Sequence, residues 1–295
     1  MVRPRELSRS LSMFAARTPT LPPATHTNSF ALGGRDVVLV EPATPYADEQ
    51  RAWIEWARGL ASQGRRLVGI VATHHHQDHV GGLAPLSREL AVPVWAHEAT
   101  AARLAPEVGA RVSRMLAEGE VVVLDGPVAE SWRVLHTPGH APGHVCLFEE
   151  RTRTVVVGDM VASEGTILVA PDDGDMQEYL DQLERLAALG ASVALPAHGE
   201  PIDEPTALFR RYIAHRLERE GMVLEALRTA DPSGATAVAL VPDAYADAPA
   251  SVWPLAALSV EAHLVKLERE GRVERVEPGG GTSDTRARAA RFRLV

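Results

Sequence analysis

The sequence predicts an α+β chain, with sheets covered by helices followed by a small helical unit. Three observations predict it. Between residues 23 and 205 strand signals come first as a meander and then mix with helical periodicities, the pattern of sheets sheltered by helices. Beyond residues 201–205 the composition shifts and reads as helix, helix, hairpin, the outline of a winged helix. Every histidine motif stands just after an apolar strand, and loops on a rigid sheet are where site residues are carried.

Residues 1–22 are polar, rich in Arg and Pro and without periodicity, so a disordered tail is expected there. Strands at 29–32 and 36–40 flank Gly33-Gly34 as a hairpin. A helix follows over 48–62, with Trp53, Trp56, Ala57 and Leu60 on one face. The apolar strand 66–73 runs into a histidine cluster, and short strands are expected at 93–96, 121–124 and 132–136. Segments 145–149 and 154–157 pair across a turn. In the helix 175–189, Met176, Tyr179, Leu180, Leu183 and Leu186 form a stripe at helical spacing that reads as core. Strand 192–195 closes this half. Residues 206–228 form a helix, a break containing proline follows, and 259–270 form another. A strand at 272–276, the turn Gly279-Gly280-Gly281 and a strand at 291–295 complete the chain.

The 295 residues are ample for two domains, and the 45% apolar content is enough for a sizeable core. Cys146, the single cysteine, precludes an intrachain disulfide and sits in an apolar run as a small hydrophobe. No segment approaches the roughly 18 uninterrupted apolar residues of a membrane span. A soluble, cytoplasmic protein is the expectation, with the oligomeric state open. Residues 1–205 carry 17 basic and 27 acidic residues, whereas 206–295 carry 13 and 12. An acidic half of this kind is a poor nonspecific binder of polyanions.

The densest chemical signal is Thr73-His74-His75-His76-Gln77-Asp78-His79-Val80-Gly81-Gly82. Histidine and aspartate suit zinc and similar divalent ions. In an extended loop, residues two apart project the same way, so His74, His76 and Asp78 share a face and His75 points elsewhere. His79 breaks the alternation and is placed to reach a second ion.

The pattern H-x-H-x-D-H resembles the signature of the metallo-β-lactamase superfamily. Three further motifs follow in that family's order: Thr137-Pro138-Gly139-His140, Gly158-Asp159 and Pro196-Ala197-His198-Gly199. The resemblance covers roughly residues 24–205 and implies an αββα sandwich with metals at one edge of the sheets. It implies that one ion takes His74, His76 and His140, that the other takes Asp78, His79 and His198, and that Asp159 bridges them. Two Zn2+ per chain are expected, with Mn2+ or Fe2+ as substitutes. His144 is placed outside the ligand set, near the metals or substrate; His26 and His97 read as structural. In the C-terminal part, the runs 212–220 and 263–273, with Gly165-Thr166, resemble the β-lactamase-like protein 2 family, which joins such a catalytic domain to a winged helix.

A bound metal lowers the pKa of water from about 15.7 to about 7, so a bridging hydroxide oriented by Asp78 and Asp159 is the expected nucleophile. Substrate class is open among three readings. An ester or acyl-thioester hydrolase acting on a small molecule is favoured by the acidic catalytic half. An endoribonuclease on single-stranded RNA is favoured by what the resemblance implies. A DNA-binding regulator is disfavoured by the intact ligand set and the balanced charge of residues 206–295.

Overall fold

The computed structural model describes residues 3–104, 109–276 and 290–295. Seven strands form the first sheet in chain order: β1 (Arg5–Ser8), β2 (Leu11–Arg17), β3 (His26–Leu32), β4 (Asp36–Val40), β5 (Arg66–Val71), β6 (Val94–His97) and β7 (Val112–Leu116). The second sheet holds β8 (Val121–Leu124), β9 (Glu130–His136), β10 (Val145–Glu149), β11 (Thr154–Gly158) and β12 (Val193–Pro196), ordered β12-β11-β10-β9-β8. The helices of this half are α1 (Ala47–Ser62), α2 (Gln77–Val80), α3 (Leu83–Leu90), α4 (Glu98–Arg103) and α5 (Met176–Ala188).

The two-residue alternation of each strand divides its side chains between two cores. In β4, Val38 and Val40 enter the layer between the sheets, while Val37 and Leu39 face α1 and α3. In β10, Val145 and Leu147 enter the same inner layer, while Cys146 and Phe148 face α5. The result is helix, sheet, sheet, helix, the αββα sandwich that the motifs imply. Cys146 is fully buried among these side chains, and burial pushes its thiol up to about 12.

Residues 3–17 correct the expectation of a disordered tail. Strand β2 pairs with β3 from Leu11↔Leu32 to Arg17↔His26 and is buried on both faces. Met13 enters the inter-sheet layer and Phe14 stacks on Trp56, with ring centroids 5.4 Å apart. A strand covered on both sides, with alanines at 15 and 16, shows no polar alternation to read. Three of the four arginines taken as a tail signature are ion-paired: Arg3 with Glu49, Arg5 with Glu200 and Arg17 with Asp48.

The C-terminal part begins with α6 (Pro205–Thr229), which packs on α5 and then runs into a separate core. There it meets α7 (Ala237–Ala244), α8 (Trp253–Arg269) and a small sheet of β13 (Ala235–Thr236), β14 (Val273–Val276) and β15 (Arg291–Leu294), ordered β13-β15-β14. The expected proline break is a helix, α7. Its N-cap Thr236 accepts from the Ala239 amide, and Pro242 sits inside it. Helix α8 also starts earlier than expected, with proline in its first turn, where a missing N–H costs nothing. The expected Gly279–Gly281 turn lies outside the described residues. Among the described residues, no helix is long and apolar enough to cross a membrane.

Candidate metal centre

The parallel pairs β4/β5 and β11/β12 end at one edge of the sandwich, and the β9–β10 turn opens on the same edge. This alignment gathers segments distant in sequence. After β5 the chain reaches His74, then caps the single turn α2 with His76. Asp78 and His79 therefore sit on a helical turn rather than on the extended loop expected from alternation. His140 comes from the β9–β10 connection, Asp159 from the end of β11 and His198 from the end of β12.

Two glycines make the approach possible. Gly158 adopts φ +48°, and a side chain there would fall 2.5 Å from His144 Nε2. Gly139, at φ +125°, lets the His140 loop lie against α5, where a Cβ would meet the Tyr179 backbone nitrogen at 2.2 Å. Asn28 pins the His198 loop by donating to the Pro196 and Gly199 carbonyls at 3.0 and 2.7 Å.

Three ring nitrogens converge first. His74 Nε2, His76 Nδ1 and His140 Nε2 lie 3.0–3.2 Å from one another. Each ring's other nitrogen is already engaged as a donor. His140 Nδ1 donates to Leu168 O at 2.8 Å, and His76 Nε2 to the Asp173 carboxylate at 2.7 Å. Thr73 Oγ1 donates to Glu41 at 2.5 Å, so it accepts from His74 Nδ1 at 3.0 Å. The three converging atoms therefore all present lone pairs, and a cation is the species that satisfies them together.

The second group is Asp78, His79 and His198. His79 Nε2 and His198 Nε2 lie 3.8 and 3.7 Å from Asp78 Oδ2. Their outer nitrogens donate to Glu41 Oε1 at 3.1 Å and to His26 O at 3.0 Å. Asp159 stands between the groups. Its Oδ1 is 3.5 Å from His79 and 3.4 Å from His198, and its Oδ2 is 3.6 Å from His140. His79 Nε2 and Asp159 Oδ1 are buried without a hydrogen-bond partner. Unsatisfied buried polar atoms of this kind call for an ion. The donor set, nitrogen-rich on one side and carboxylate-rich on the other, could hold two divalent cations.

Electrostatics follow that asymmetry. Burial pushes His74 and His144 well below the usual imidazole range and His140 to about 4, and neighbouring histidines add to the effect. Burial lowers His79 and His198 too, but the carboxylates outweigh it and raise both: Asp159 at each ring, joined at His79 by Glu41 and Asp78. Burial would raise Asp159, yet His198 and His79 hold it well below the carboxylate range.

His144 lies outside both groups. Its Nε2 accepts from the Asp159 amide at 3.1 Å while Nδ1 meets Thr137 Oγ1 at 2.8 Å, so it fixes the backbone that carries Asp159. His75 also stays out of both groups, with Nε2 3.3 Å from Asp173. His97 stacks on His136 with centroids 4.0 Å apart, away from the cluster. Glu41 and Asp173 were missed by motif reading. Glu41 is a lone acid after an apolar strand, the position the histidine motifs share, and that was the available signal. Asp173 lies in a loop without regular structure and had none.

A cavity of about 340 Å³ opens over these residues. Its walls are the loop 19–24, the segment 162–173 and one residue of the C-terminal unit, Leu258. Helix α6 holds the second wall: Tyr212 Oη bonds both the amide and the carbonyl of Ala162 at 3.1 Å, and Arg216 donates to Ile167 O.

Fold and site together define an αββα hydrolase with an attached winged helix. A family model described as metallo-beta-lactamase superfamily matches residues 22–198, and one described as beta-lactamase associated winged helix domain matches 236–281. The chain belongs to the metallo-β-lactamase superfamily. A relative named beta-lactamase-like protein 2 homolog, from Drosophila melanogaster, is 30% identical over 254 residues and covers 84% of each chain. An atrochrysone carboxyl ACP thioesterase from Aspergillus chevalieri is 29% identical over 204 residues, 68% of this chain and 60% of that one. A crystal structure of a metallo-beta-lactamase family protein from Thermus thermophilus superposes with a TM-score of 0.75 at 25% identity, covering 98% of this chain and 100% of that one.

Proposed function

We propose that this chain is a dinuclear metal-dependent hydrolase of small ester or thioester substrates, with Zn2+ as its native ion. One observation carries the substrate class: no Lys or Arg lines the catalytic cavity among the described residues, while Glu164, Asp172 and Asp173 do, beside Leu21, Pro22 and Ile167. A surface for successive phosphates needs cations, because binding to nucleic acid is dominated by backbone charge. A small acyl group needs an apolar wall and a few polar contacts. The activity in the name of the Aspergillus relative, thioester hydrolysis, supports the same class.

His74, His76 and His140 would hold one ion, Asp78, His79 and His198 the other, and Asp159 would bridge. When bound, the ions supply hydroxide near neutral pH and polarise the substrate carbonyl. Asp78, which faces the cavity, accepts a hydrogen bond from the attacking water and sets its direction. Thr20 and Thr166, also on the wall, offer hydroxyl donors to the substrate. Water adds across the acyl bond, the acid and the thiol or alcohol leave, and the proton of the water ends on the leaving group.

The basic residues of α8 and its flank are engaged in ion pairs: Lys266 with Glu220 and Glu270, Arg269 with Asp175 and Arg272 with Glu220. That arrangement supports a packing role for this unit over reading of DNA. The test is parallel assay of metal-loaded protein on acyl thioesters, lactones and single-stranded RNA at two salt concentrations. Acyl turnover that is insensitive to salt and lost in Asp78→Ala is expected. Salt-sensitive RNA cleavage lost in the same variant, with no acyl turnover, would overturn the proposal.

A further inference from the structure

Leu258 belongs to two cavities at once. Among the described residues it is the one residue of the C-terminal unit on the wall of the metal pocket, and it also bounds a cavity of about 600 Å³ between α7 and α8. On α8, Pro254, Ala257, Leu258 and Glu261 recur at helical spacing and face this groove, while Val260 and Leu264, on another face, are fully buried in the C-terminal core. Val238 and Val241 of α7 form the opposite wall, and Trp253 flanks the groove. The helix is thus apolar on two sides, only one of which supports the fold. Val238 is 67% exposed, Leu258 36%. Contiguous apolar surface on a water-facing unit marks a binding site more often than chance.

The shared residue decides the occupant. A ligand seated in the metal pocket can touch Leu258, the residue that also bounds the groove. Neither cavity is lined by Lys or Arg among the described residues, and Glu261 opposes an anionic ligand at the far end. We infer that Leu258 joins the two cavities into one cleft, and that the α7–α8 groove holds the apolar tail of an acyl group whose carbonyl is attacked in the metal pocket. This rests on the acyl-hydrolase reading and narrows it to medium or long acyl chains.

The experiment uses the full, metal-loaded chain and two readouts. In a thioester series from acetyl to dodecanoyl, kcat/KM rises with length, because each fully buried methylene contributes at most about fourfold. Val238→Asp, on the exposed outer wall, lowers the dodecanoyl value by at least about tenfold and leaves the acetyl value and metal content unchanged. Laurate supplies a readout free of turnover. Trp253 is half-buried while the other four tryptophans are buried, so laurate shifts emission in the native protein but not in Trp253→Phe or Val238→Asp. Laurate binding without hydrolysis of any acyl substrate leaves the groove in place and overturns the acyl-hydrolase reading. Acyl turnover independent of length, with no laurate response, overturns the groove. Dimerisation abolished by Val238→Asp would show the groove to be a contact between two copies and overturn it as well.

Discussion

Arg216, on α6, donates to the main-chain oxygen of Ile167, one residue before the carbonyl that fixes His140. Arg216 is 2% exposed, and its guanidinium carbon lies 5.6 Å from the Tyr179 ring centroid. The sequence from α6 to Ile167, to Leu168 O and to His140 Nδ1 links the C-terminal helix to a candidate ligand ring. Groups that orient metal ligands typically change affinity by about 10–100-fold when removed.

Arg216→Met should therefore weaken metal binding by about tenfold and raise KM more than it lowers kcat, since the same loop walls the cavity. It also leaves the Ile167 carbonyl buried without its donor, a cost of about 1–3 kcal/mol in stability. Arg216→Lys, which keeps a donor, should recover part of the metal affinity. Metal titration and steady-state kinetics check both variants. Unchanged metal affinity in a folded Arg216→Met protein would show that the helix supports only the fold.

Asp173 does for His76 what Leu168 O does for His140. Its carboxylate receives His76 Nε2–H at 2.7 Å and holds the ring with Nδ1 free for a cation. Asp173→Ala should weaken the ion held by His74, His76 and His140 by about 10–100-fold and spare the ion at Asp78. Asp173→Asn, which still offers an accepting oxygen, should fall between. Competition with a chromophoric chelator resolves the two ions and checks this order.

The candidate ligand motifs were legible because each follows an apolar strand and uses side chains with few other roles in that setting. Their supports were not. Leu168 and His26 act through backbone oxygens, which carry no side-chain signature, and Asp173 meets His76 across 97 residues of sequence. The sandwich was legible where strands alternate or run apolar between turns. It failed for β2, whose arginines and alanines disguise a strand covered on both faces, and for the single turn α2, too short for periodicity to reveal. The expected shared face of His74, His76 and Asp78 rested on an extended backbone, whereas α2 swings Asp78 towards His79 and His198.

A buried charge cluster joins α6 to α8 and sets an acid limit on stability. Lys266 Nζ lies 2.8 Å from Glu220, with Arg272 at 3.4 Å and His263 at 3.6 Å. Burial would raise the Glu220 carboxyl, but His263 and Lys266 hold it below its ordinary value of 4.5. A depressed carboxylate binds fewer protons folded than unfolded. Its contribution is therefore complete above about 4.5 and is lost as pH falls through the folded value. Denaturation from neutral pH to pH about 3 should show stability declining over that window. In Glu220→Gln the decline should be shallower, and neutral-pH stability lower, because Lys266 keeps only Glu270. An equally steep acid limb in the variant would assign acid sensitivity to other carboxylates.

The cluster divides labour between rings that are adjacent in sequence. His74, His76 and His79 each present a lone pair to a converging group, but His75 belongs to neither of the two groups and touches Asp173 instead. Elemental analysis of protein purified without chelator should give close to two divalent ions per chain. Asp78→Ala and His198→Ala should each lose one ion and nearly all hydrolysis, since each removes one of three donors beside Asp159. His75→Ala should keep both ions and most activity, because Asp173 still holds His76 and is still approached by Arg103 at 3.6 Å. Chelation should lower the thermal midpoint of the native chain and of His75→Ala alike, since the lone pairs of three converging rings and the Asp159 carboxylate then face one another without a cation. One ion or fewer after reloading would overturn the dinuclear assignment, and loss of activity in His75→Ala equal to that in Asp78→Ala would overturn the division between the rings.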